Sequence, residues 1–153
     1  MKYGGVLLAV ADIERSKRFY HDVLRLEVIE DFGANIVLTG NVFLQSKETW
    51  EKFICGKPVS FGSNDFELYF EADDIDGYIK KLDSIPGIKF VHPLIEHSWG
   101  QRVVRFYDPD YHIIEVGENM DMVVKRFLKS GLSVEETAKR MDVSVEYVHA
   151  KAE

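Results

Sequence analysis

One carboxylate interrupts an otherwise apolar strand-like segment in the last third of the chain. Glu115 follows Ile113 and Ile114 and precedes Val116. A carboxylate buried in such a strand without a partner destabilises the fold by several kcal/mol or changes its pKa. We therefore expect a cation, a proton or a substrate hydroxyl to lie against Glu115.

A second carboxylate lies in the segment FELYF. Side chains alternate between the two faces of a strand, so Glu67 and Tyr69 share one face while Phe66 and Leu68 share the other. The apolar face of such a strand packs on helices. By the same alternation Glu115 falls on the side away from the helices. Both glutamates are therefore predicted to face the same, helix-free side of a sheet and are our candidate catalytic residues.

The two glutamates lie within two copies of one pattern of elements. Each copy reads as a strand, a helix with an aspartate cap and three further strands. Aligning the helix caps places Glu67 opposite Gly5, and aligning the closing strands places Glu115 opposite Gln45. The predicted strands span residues 5–10, 27–32, 35–38, 42–45, 66–70, 88–92, 101–107 and 112–116, and the predicted helices begin at Asp12 and Asp74.

The repeat predicts an α+β fold in which two βαβββ modules form a curved mixed sheet of half-barrels. The modules span residues 5–45 and 66–117, with a helical insert at residues 46–64 between them. Together they form a unit of residues 1–119. Residues 120–153 read as a helical tail.

The doubled module resembles the vicinal oxygen chelate superfamily, which holds glyoxalase I, extradiol dioxygenases and bleomycin resistance proteins. The resemblance is carried by "VADIERSKRFY", which opens one copy, and "RFYDPDYHIIEVGE", which closes the other. It implies a divalent metal in the cleft, on ligands from the first and last strands of the modules. Carried over by position, those places are Gly5, Gln45, Glu67 and Glu115. Gly5 has no side chain to offer, so the resemblance implies a metal set of Glu67, Glu115 and Gln45.

Two carboxylates and an amide are oxygen donors, which suit Mg²⁺ or Mn²⁺, with Ni²⁺, Zn²⁺ or Fe²⁺ as alternatives. The resemblance implies a glyoxalase-like metal-dependent enzyme of the lyase, isomerase, epimerase or dioxygenase type. Its small substrate would chelate the metal through adjacent oxygens, and Glu115 matches the position of a proton-transfer base. The alternative is a metal-free small-molecule binding protein of the bleomycin resistance type. The glycine at position 5 favours this alternative, and the two glutamates favour the enzyme.

Four residues near these glutamates are candidates for substrate binding. Tyr69 shares the Glu67 face, and Arg102 lies on an adjoining strand. His97 and Trp99 lie in the long loop of the second module, where loops of the related proteins cover the cleft. The resemblance leaves His97 as a fourth ligand or proton shuttle, while a lone loop histidine is also commonly solvated.

The two glutamates also have a purely structural alternative. Arg102 and Arg105 lie on the adjoining strand, where either could form an ion pair with Glu67 or Glu115. In that case neither carboxylate needs a metal.

Length and composition restrict the class of protein. The 153 residues suit one compact domain, and the net charge of −7 disfavours a broad surface for nucleic acid. Cys55 is the single cysteine, so an intrachain disulfide is excluded. The sequence contains neither a signal-peptide pattern nor an apolar run long enough to span a membrane. We expect a cytoplasmic protein with a small-molecule partner, and the resemblance implies a homodimer.

The tail segment "LSVEETAKRMDVSVEYVHA" resembles a helix-turn-helix. Ser133 and Ser144 are the predicted caps of its two helices, and Ala138 lies at their crossing. The second helix carries Lys151 against Glu146 and Glu153, a balance that disfavours an effector-sensing regulator that binds DNA. The alternative is a helical appendage packed on the barrel or on a partner chain.

Overall fold

The computed structural model describes residues 1–152, so Glu153 of the predicted tail lies outside the described residues. Eight strands and six α-helices are found in this range. The strands are β1 (Val6–Val10), β2 (Val28–Asp31), β3 (Asn35–Leu38), β4 (Val42–Ser46), β5 (Glu67–Ala72), β6 (Lys89–Glu96), β7 (Arg102–Tyr107) and β8 (Ile113–Glu118). The helices are α1 (Ile13–Leu24), α2 (Lys47–Phe53), α3 (Ile75–Asp83), α4 (Met120–Lys129), α5 (Val134–Met141) and α6 (Val145–Ala152).

The strands form two four-stranded sheets with the same topology, in the orders β1-β4-β3-β2 and β5-β8-β7-β6. In each sheet the first strand pairs in parallel with the last, across a helical crossover. The α+β fold predicted from the repeated pattern, with helices at its C-terminal end, is therefore confirmed. No helix in residues 1–152 is long and apolar enough to cross a membrane.

The helices of the two modules begin at the aspartates that the sequence predicts. Asp12 accepts a hydrogen bond from the backbone amide of Arg15, and Asp74 accepts one from Gly77. A side chain that accepts from the first-turn amides satisfies a donor that has no partner within the helix. In both modules the capping aspartate stands two residues after the end of the opening strand.

The ladder register corrects the predicted alignment of the closing strands. Leu7 pairs with Phe43, Tyr69 pairs with Glu115, and Leu7 and Tyr69 each stand five residues before the helix cap of their module. The position equivalent to Glu115 is therefore Phe43, and the predicted equivalence with Gln45 is wrong. A shift of two residues leaves every side chain on the same face, so the apolar pattern could not reveal it.

Some element boundaries also differ from the prediction. The insert predicted as helical over residues 46–64 is helical only at α2, after which the chain is irregular up to β5. Strand β6 continues through Pro93 to Glu96, beyond the predicted end at His92. The loop between β6 and β7 is therefore residues 97–101, which we call the β6–β7 loop.

The chain divides into two compact units. The first contains residues 1–66 and the segment Tyr107–His112, and the second contains residues 67–106 with the chain from Ile113 through the C-terminal helices. The first core is formed by fully buried side chains of its sheet and of α1, including Leu8, Tyr20, Ile36 and Leu44. In this unit Tyr20 donates a hydrogen bond to the buried carboxylate of Asp108 at 2.9 Å.

The second unit has two groups of buried apolar side chains, one on its sheet and α3 and one within α4, α5 and α6. Leu68, Ile75, Leu82 and Ile114 are buried between sheet and helix. The helical cluster consists of Val123, Val124, Phe127, Ala138, Met141 and Val148. The C-terminal helices thus have an apolar core of their own within the second unit.

Local features of the tail agree with the sequence. Ser133 and Glu136 form a capping box at the start of α5, and Ser144 accepts a hydrogen bond from the amide of Tyr147 at 3.1 Å. Ala138 is buried between the helices. Between α5 and α6, Asp142 adopts a left-handed conformation with φ of 56°, which ends the first helix.

Candidate functional site

A row of polar side chains crosses the second sheet, one from each strand. In the strand order β5-β8-β7-β6 these are Glu67, Glu115, Arg105 and His92. Arg105 donates from Nε to Glu67 Oε2 at 2.8 Å and forms an ion pair with Glu115. Nη1 of Arg105 lies 3.2 Å from His92 Nε2. The two predicted catalytic glutamates therefore converge on one guanidinium.

This row combines a buried carboxylate with a more exposed one. The side chain of Glu115 is 7% exposed, that of Arg105 24% and that of Glu67 36%. A buried carboxylate requires a paired charge, and Arg105 supplies it. Two carboxylates on one guanidinium leave this group with a net negative charge. The ion pair considered above as a structural alternative is thus present, with Arg105 as the arginine.

Arg102, the predicted substrate-binding arginine, is bound elsewhere. It donates from Nε and Nη2 to Glu118 at 3.0 and 2.8 Å and from Nη1 to Asp76 at 3.0 Å. Glu118 also accepts hydrogen bonds from Arg126 of α4 at 3.1 and 3.2 Å. Burial opposes ionisation of Glu118, but the hydrogen bonds from Arg102 and Arg126 outweigh it and lower its pKa. Arg102 therefore serves an ion-pair network around Glu118.

Two of the predicted substrate-binding residues are joined through Gln101. Its Nε2 donates to the Tyr69 hydroxyl at 2.9 Å, and its Oε1 accepts from Trp99 Nε1 at 3.3 Å. The Tyr69 hydroxyl in turn donates to Glu71 at 2.9 Å. Burial, followed by the hydrogen bond to Glu71, raises the pKa of Tyr69. Tyr69 therefore remains a neutral phenol.

His97 and Trp99 form a stacked pair on the β6–β7 loop. Their ring centroids are 4.3 Å apart and their planes differ by 21°. Burial lowers the pKa of His97, and electrostatic interactions with Arg105 and His92 lower it further. His97 is thus neutral near pH 7, and Arg105 is close enough to influence its protonation.

Gln45 lies in the first unit, where neighbouring groups occupy its amide. Its Oε1 accepts from Asn35 at 2.8 Å, and its Nε2 donates to the Ala34 carbonyl at 3.0 Å and to Thr49. Gln45 is buried. Its polar atoms therefore complete a local network of β3, β4 and α2.

Close packing explains why position 5 is a glycine. Gly5 has a φ of 142°, and a Cβ placed there would overlap the carbonyl oxygen of Asn41 and meet the ring of Phe43 at 2.7 Å. A donor side chain cannot occupy this position without displacing its neighbours. Close packing against Asn41 and Phe43 therefore excludes a metal-binding side chain at position 5.

These donors do not fit the divalent metal that the resemblance implies. Within residues 1–152, no three or more His, Cys, Asp and Glu side chains are grouped so that they could hold a metal ion. Glu67 and Glu115 share Arg105, while Gln45 is committed to its own neighbours. A cation at the glutamates would have to compete with a guanidinium that already neutralises them.

Two of these residues are only weakly indicated by the sequence. Alternation along β7 places Arg105 and not Arg102 on the side of Glu115, a distinction that the period of two alone could have made. Gln101 stands one residue before β7, where no periodicity applies. Its role depends on the tertiary contact with Tyr69.

The sequence profile of the Glyoxalase-like domain matches residues 3–121. The chain therefore belongs to the glyoxalase-like domain family, and its identification with the vicinal oxygen chelate superfamily is confirmed. The match ends at the start of α4, so α5 and α6 lie outside the family domain.

Individual relatives agree with this assignment. A protein of unknown function from Agrobacterium tumefaciens C58 is 38% identical, with a TM-score of 0.70, covering 78% of this chain and 94% of its own. YraH of Bacillus subtilis 168, itself uncharacterised, is 28% identical over 125 residues, covering 76% of this chain and 97% of its own. A lactoylglutathione lyase from Agrobacterium tumefaciens shares the fold at 21% identity with a TM-score of 0.60, covering 78% of this chain and 94% of its own.

Proposed function

We propose that the protein binds a small organic molecule without a metal, on the face of the second sheet that carries Glu67, Arg105 and Glu115. The observation that carries this proposal is the ion pair of both glutamates with Arg105. In this arrangement the buried Glu115 is neutralised by the protein itself. The polar row remains available for hydrogen bonding to a ligand, because Glu67 is partly exposed.

Exposed aromatic side chains on this face suit a ligand that has a flat, apolar part. The exposed fraction is 48% for Tyr69, 40% for Trp99 and 40% for Phe90. Phe90 lies on the His92 side of β6, because residues two apart share a face. Exposed aromatic groups around a few polar ones are typical of ligand sites.

The net charge of this face of the second sheet indicates which polar groups a ligand should carry. Arg105 is already paired with two carboxylates, so the group retains a negative charge. His97 has a lowered pKa and is neutral near pH 7. A neutral or cationic ligand with hydrogen-bond donors fits this face, while an anion is repelled.

A metal-dependent glyoxalase-type enzyme, whether a lyase, isomerase, epimerase or dioxygenase, is the second candidate function. The convergence of Glu67 and Glu115 on one point favours it, because a chelating substrate needs adjacent oxygen ligands on a divalent cation. In this reading Arg105 must leave the carboxylates before a cation binds. The two functions therefore differ in what neutralises Glu115.

Ligands matched in shape but not in charge test the proposal. Phenethylamine, phenylacetamide and phenylacetate are titrated into the protein while its melting temperature and tryptophan fluorescence are followed. We expect the amine and the amide to bind and the carboxylate to bind least. Tyr69→Leu should weaken binding, whereas Tyr3→Leu, which removes an exposed tyrosine of the first unit, should not. Equal weak responses to all three compounds in every variant would overturn the proposal.

Calorimetric titration with Mn²⁺, Ni²⁺ and Zn²⁺ decides between the two candidates. The metal-free function predicts no stoichiometric uptake by the wild-type protein. Stoichiometric uptake that Glu115→Gln abolishes would establish the metal-dependent function instead.

We also propose that the protein forms a homodimer. Exposed apolar side chains occur on the edge strand β2, at Val28 and Ile29, and on the insert, at Phe53. Burying such side chains is the usual driving force for association. Sedimentation equilibrium should give twice the 17.6 kDa chain mass, and a monomer at high concentration would contradict the dimer.

A further inference from the structure

The C-terminal helices bind the β6–β7 loop through two arginines. Arg140 of α5 donates to the main-chain carbonyl of Ser98 and to Glu96 Oε1 at 2.9 Å. Arg126 of α4 donates to the main-chain carbonyl of Gly100 and pairs with Glu96 Oε2 at 3.4 Å. Glu96, the last residue of β6, is thus shared by arginines from two helices.

The same helices also pack against the loop backbone. A Cβ placed at Gly100 would overlap the ring of Phe127, so the absence of a side chain lets α4 approach the loop. The guanidinium groups of Arg126 and Arg140 lie 4.8 and 5.5 Å from the centroid of that ring. Gly100 has a φ of 91°, a conformation that glycine adopts readily.

The carboxylate that holds Arg126 in place is buried. Arg126 donates to Glu118 at 3.1 and 3.2 Å, and the side chain of Glu118 is almost fully buried at the end of β8. Charge-assisted hydrogen bonds are about twice as strong as neutral ones. The helix that holds the loop is therefore itself fixed to the sheet.

The opposite side of the loop carries the aromatic part of the ligand face. His97 stacks on Trp99, and Trp99 is connected through Gln101 to Tyr69. The β6–β7 loop therefore carries both the main-chain carbonyls that bind the two arginines and the aromatic pair.

Surface loops ordinarily move among several conformations. Here the guanidinium groups bind main-chain carbonyls, which restricts the backbone itself and not only the ends of side chains. From these contacts we propose that Arg126 and Arg140 are positioning residues: the C-terminal helices hold the β6–β7 loop so that the His97–Trp99 stack is formed before ligand arrives. The proposal deepens the proposed function, because the stack lies on the face assigned to the ligand.

The stack can be followed in the ligand-free protein by fluorescence. The chain has two tryptophans, so Trp50→Phe leaves Trp99 as the sole tryptophan, which is excited selectively at the red edge of the absorption band. Into this background we introduce Arg140→Ala, Arg140→Lys and, as a matched control on the same helix, Lys139→Ala. Each variant is measured by acrylamide quenching of Trp99 and by the pH dependence of its emission, with circular dichroism and thermal melting as checks of the fold.

We expect Arg140→Ala to raise the acrylamide quenching constant at least twofold. The pH midpoint of the Trp99 emission, which reports His97 beside Arg105 and His92, should move upward toward that of a solvated histidine. Lys139→Ala should leave both quantities unchanged. Arg140→Lys should restore them in part, because lysine can pair with Glu96 but lacks the planar fork that also reaches Ser98.

Unchanged quenching and an unchanged midpoint in a folded Arg140→Ala protein would overturn the proposal. If that variant does not fold, Arg140→Gln replaces it, because this change removes the guanidinium that binds the Ser98 carbonyl while keeping a residue that favours helix. It has the same expected and contradicting results. A stack that depends on Arg140 in a protein that ignores all three phenyl compounds would refute the proposed function and leave the positioning role standing.

Discussion

Arg105 donates to Glu67 at 2.8 Å while the same guanidinium pairs with Glu115 on the neighbouring strand. This relationship explains how a carboxylate is tolerated in an apolar strand. The protein supplies its own fixed cation to both glutamates. We expect distinct consequences from changes at Glu115, Arg105, Glu118 and Gly100.

Glu115→Gln removes the buried carboxylate and leaves Arg105 paired with Glu67 alone. We expect the free energy of unfolding to fall by about 1–3 kcal/mol, because the buried ion pair between Glu115 and Arg105 is lost. Glu67→Gln should cost less, since Glu67 is partly exposed and screened by solvent. Urea unfolding of the three proteins measures this. A more stable Glu115→Gln protein would mean that repulsion between the glutamates dominates, as in an empty metal site.

Arg105→Met removes the guanidinium and leaves two carboxylates facing each other. We expect the protein to lose stability and to gain affinity for Mn²⁺, because the carboxylates then need another cation. The melting temperature should rise with Mn²⁺ in Arg105→Met and not in the wild type. The double change Arg105→Met with Glu115→Gln is the control and should show no response. A wild-type response equal to that of Arg105→Met would contradict the blocking role of Arg105.

Glu118 predicts a pH dependence of stability. Its pKa is lowered in the folded protein by Arg102 and Arg126, so its contribution to stability is complete above the unfolded value of about 4.3. It is lost as the pH falls through the folded pKa, because protonation removes the charge that both arginines bind. The difference in unfolding free energy between wild type and Glu118→Gln should therefore be constant near neutral pH and shrink in acid.

Urea unfolding across this pH range checks the assignment to Glu118. The exposed Glu30→Gln serves as the control, and its difference from wild type should show no such decrease. A gap that widens in acid for Glu118→Gln would contradict the lowered pKa.

Gly100→Ala tests the packing of α4 on the β6–β7 loop. The substitution introduces both a strained φ and an overlap with Phe127. Gly131 is a matched control, because it also has a positive φ, of 100°, but has nothing within 4 Å of an added Cβ. We expect Gly131→Ala to cost about 1 kcal/mol from the backbone alone and Gly100→Ala to cost about 1–3 kcal/mol more. Equal costs by urea unfolding would show that the loop is not packed against α4.

The local order of elements could be predicted from the sequence because its signals are local. Alternating apolar residues mark strands, and Asp12 and Asp74 mark the helix starts by their side-chain hydrogen bonds. These signals, repeated in the same order, predict the paired modules. They also predict that Glu67 and Glu115 share one face, since the period of a strand is a property of its own backbone.

The partner of Glu115 was decided only by the tertiary structure. Alternation along β7 favours Arg105 over Arg102, but whether Arg105 reaches Glu115 depends on the register between strands, because a shift of two residues preserves every face while changing every partner. The same reason explains why Phe43, and not Gln45, corresponds to Glu115. The link from Arg140 to Ser98 joins residues 42 apart in the chain through a main-chain carbonyl. Every residue carries such a carbonyl, so no side-chain pattern in the sequence could mark this one.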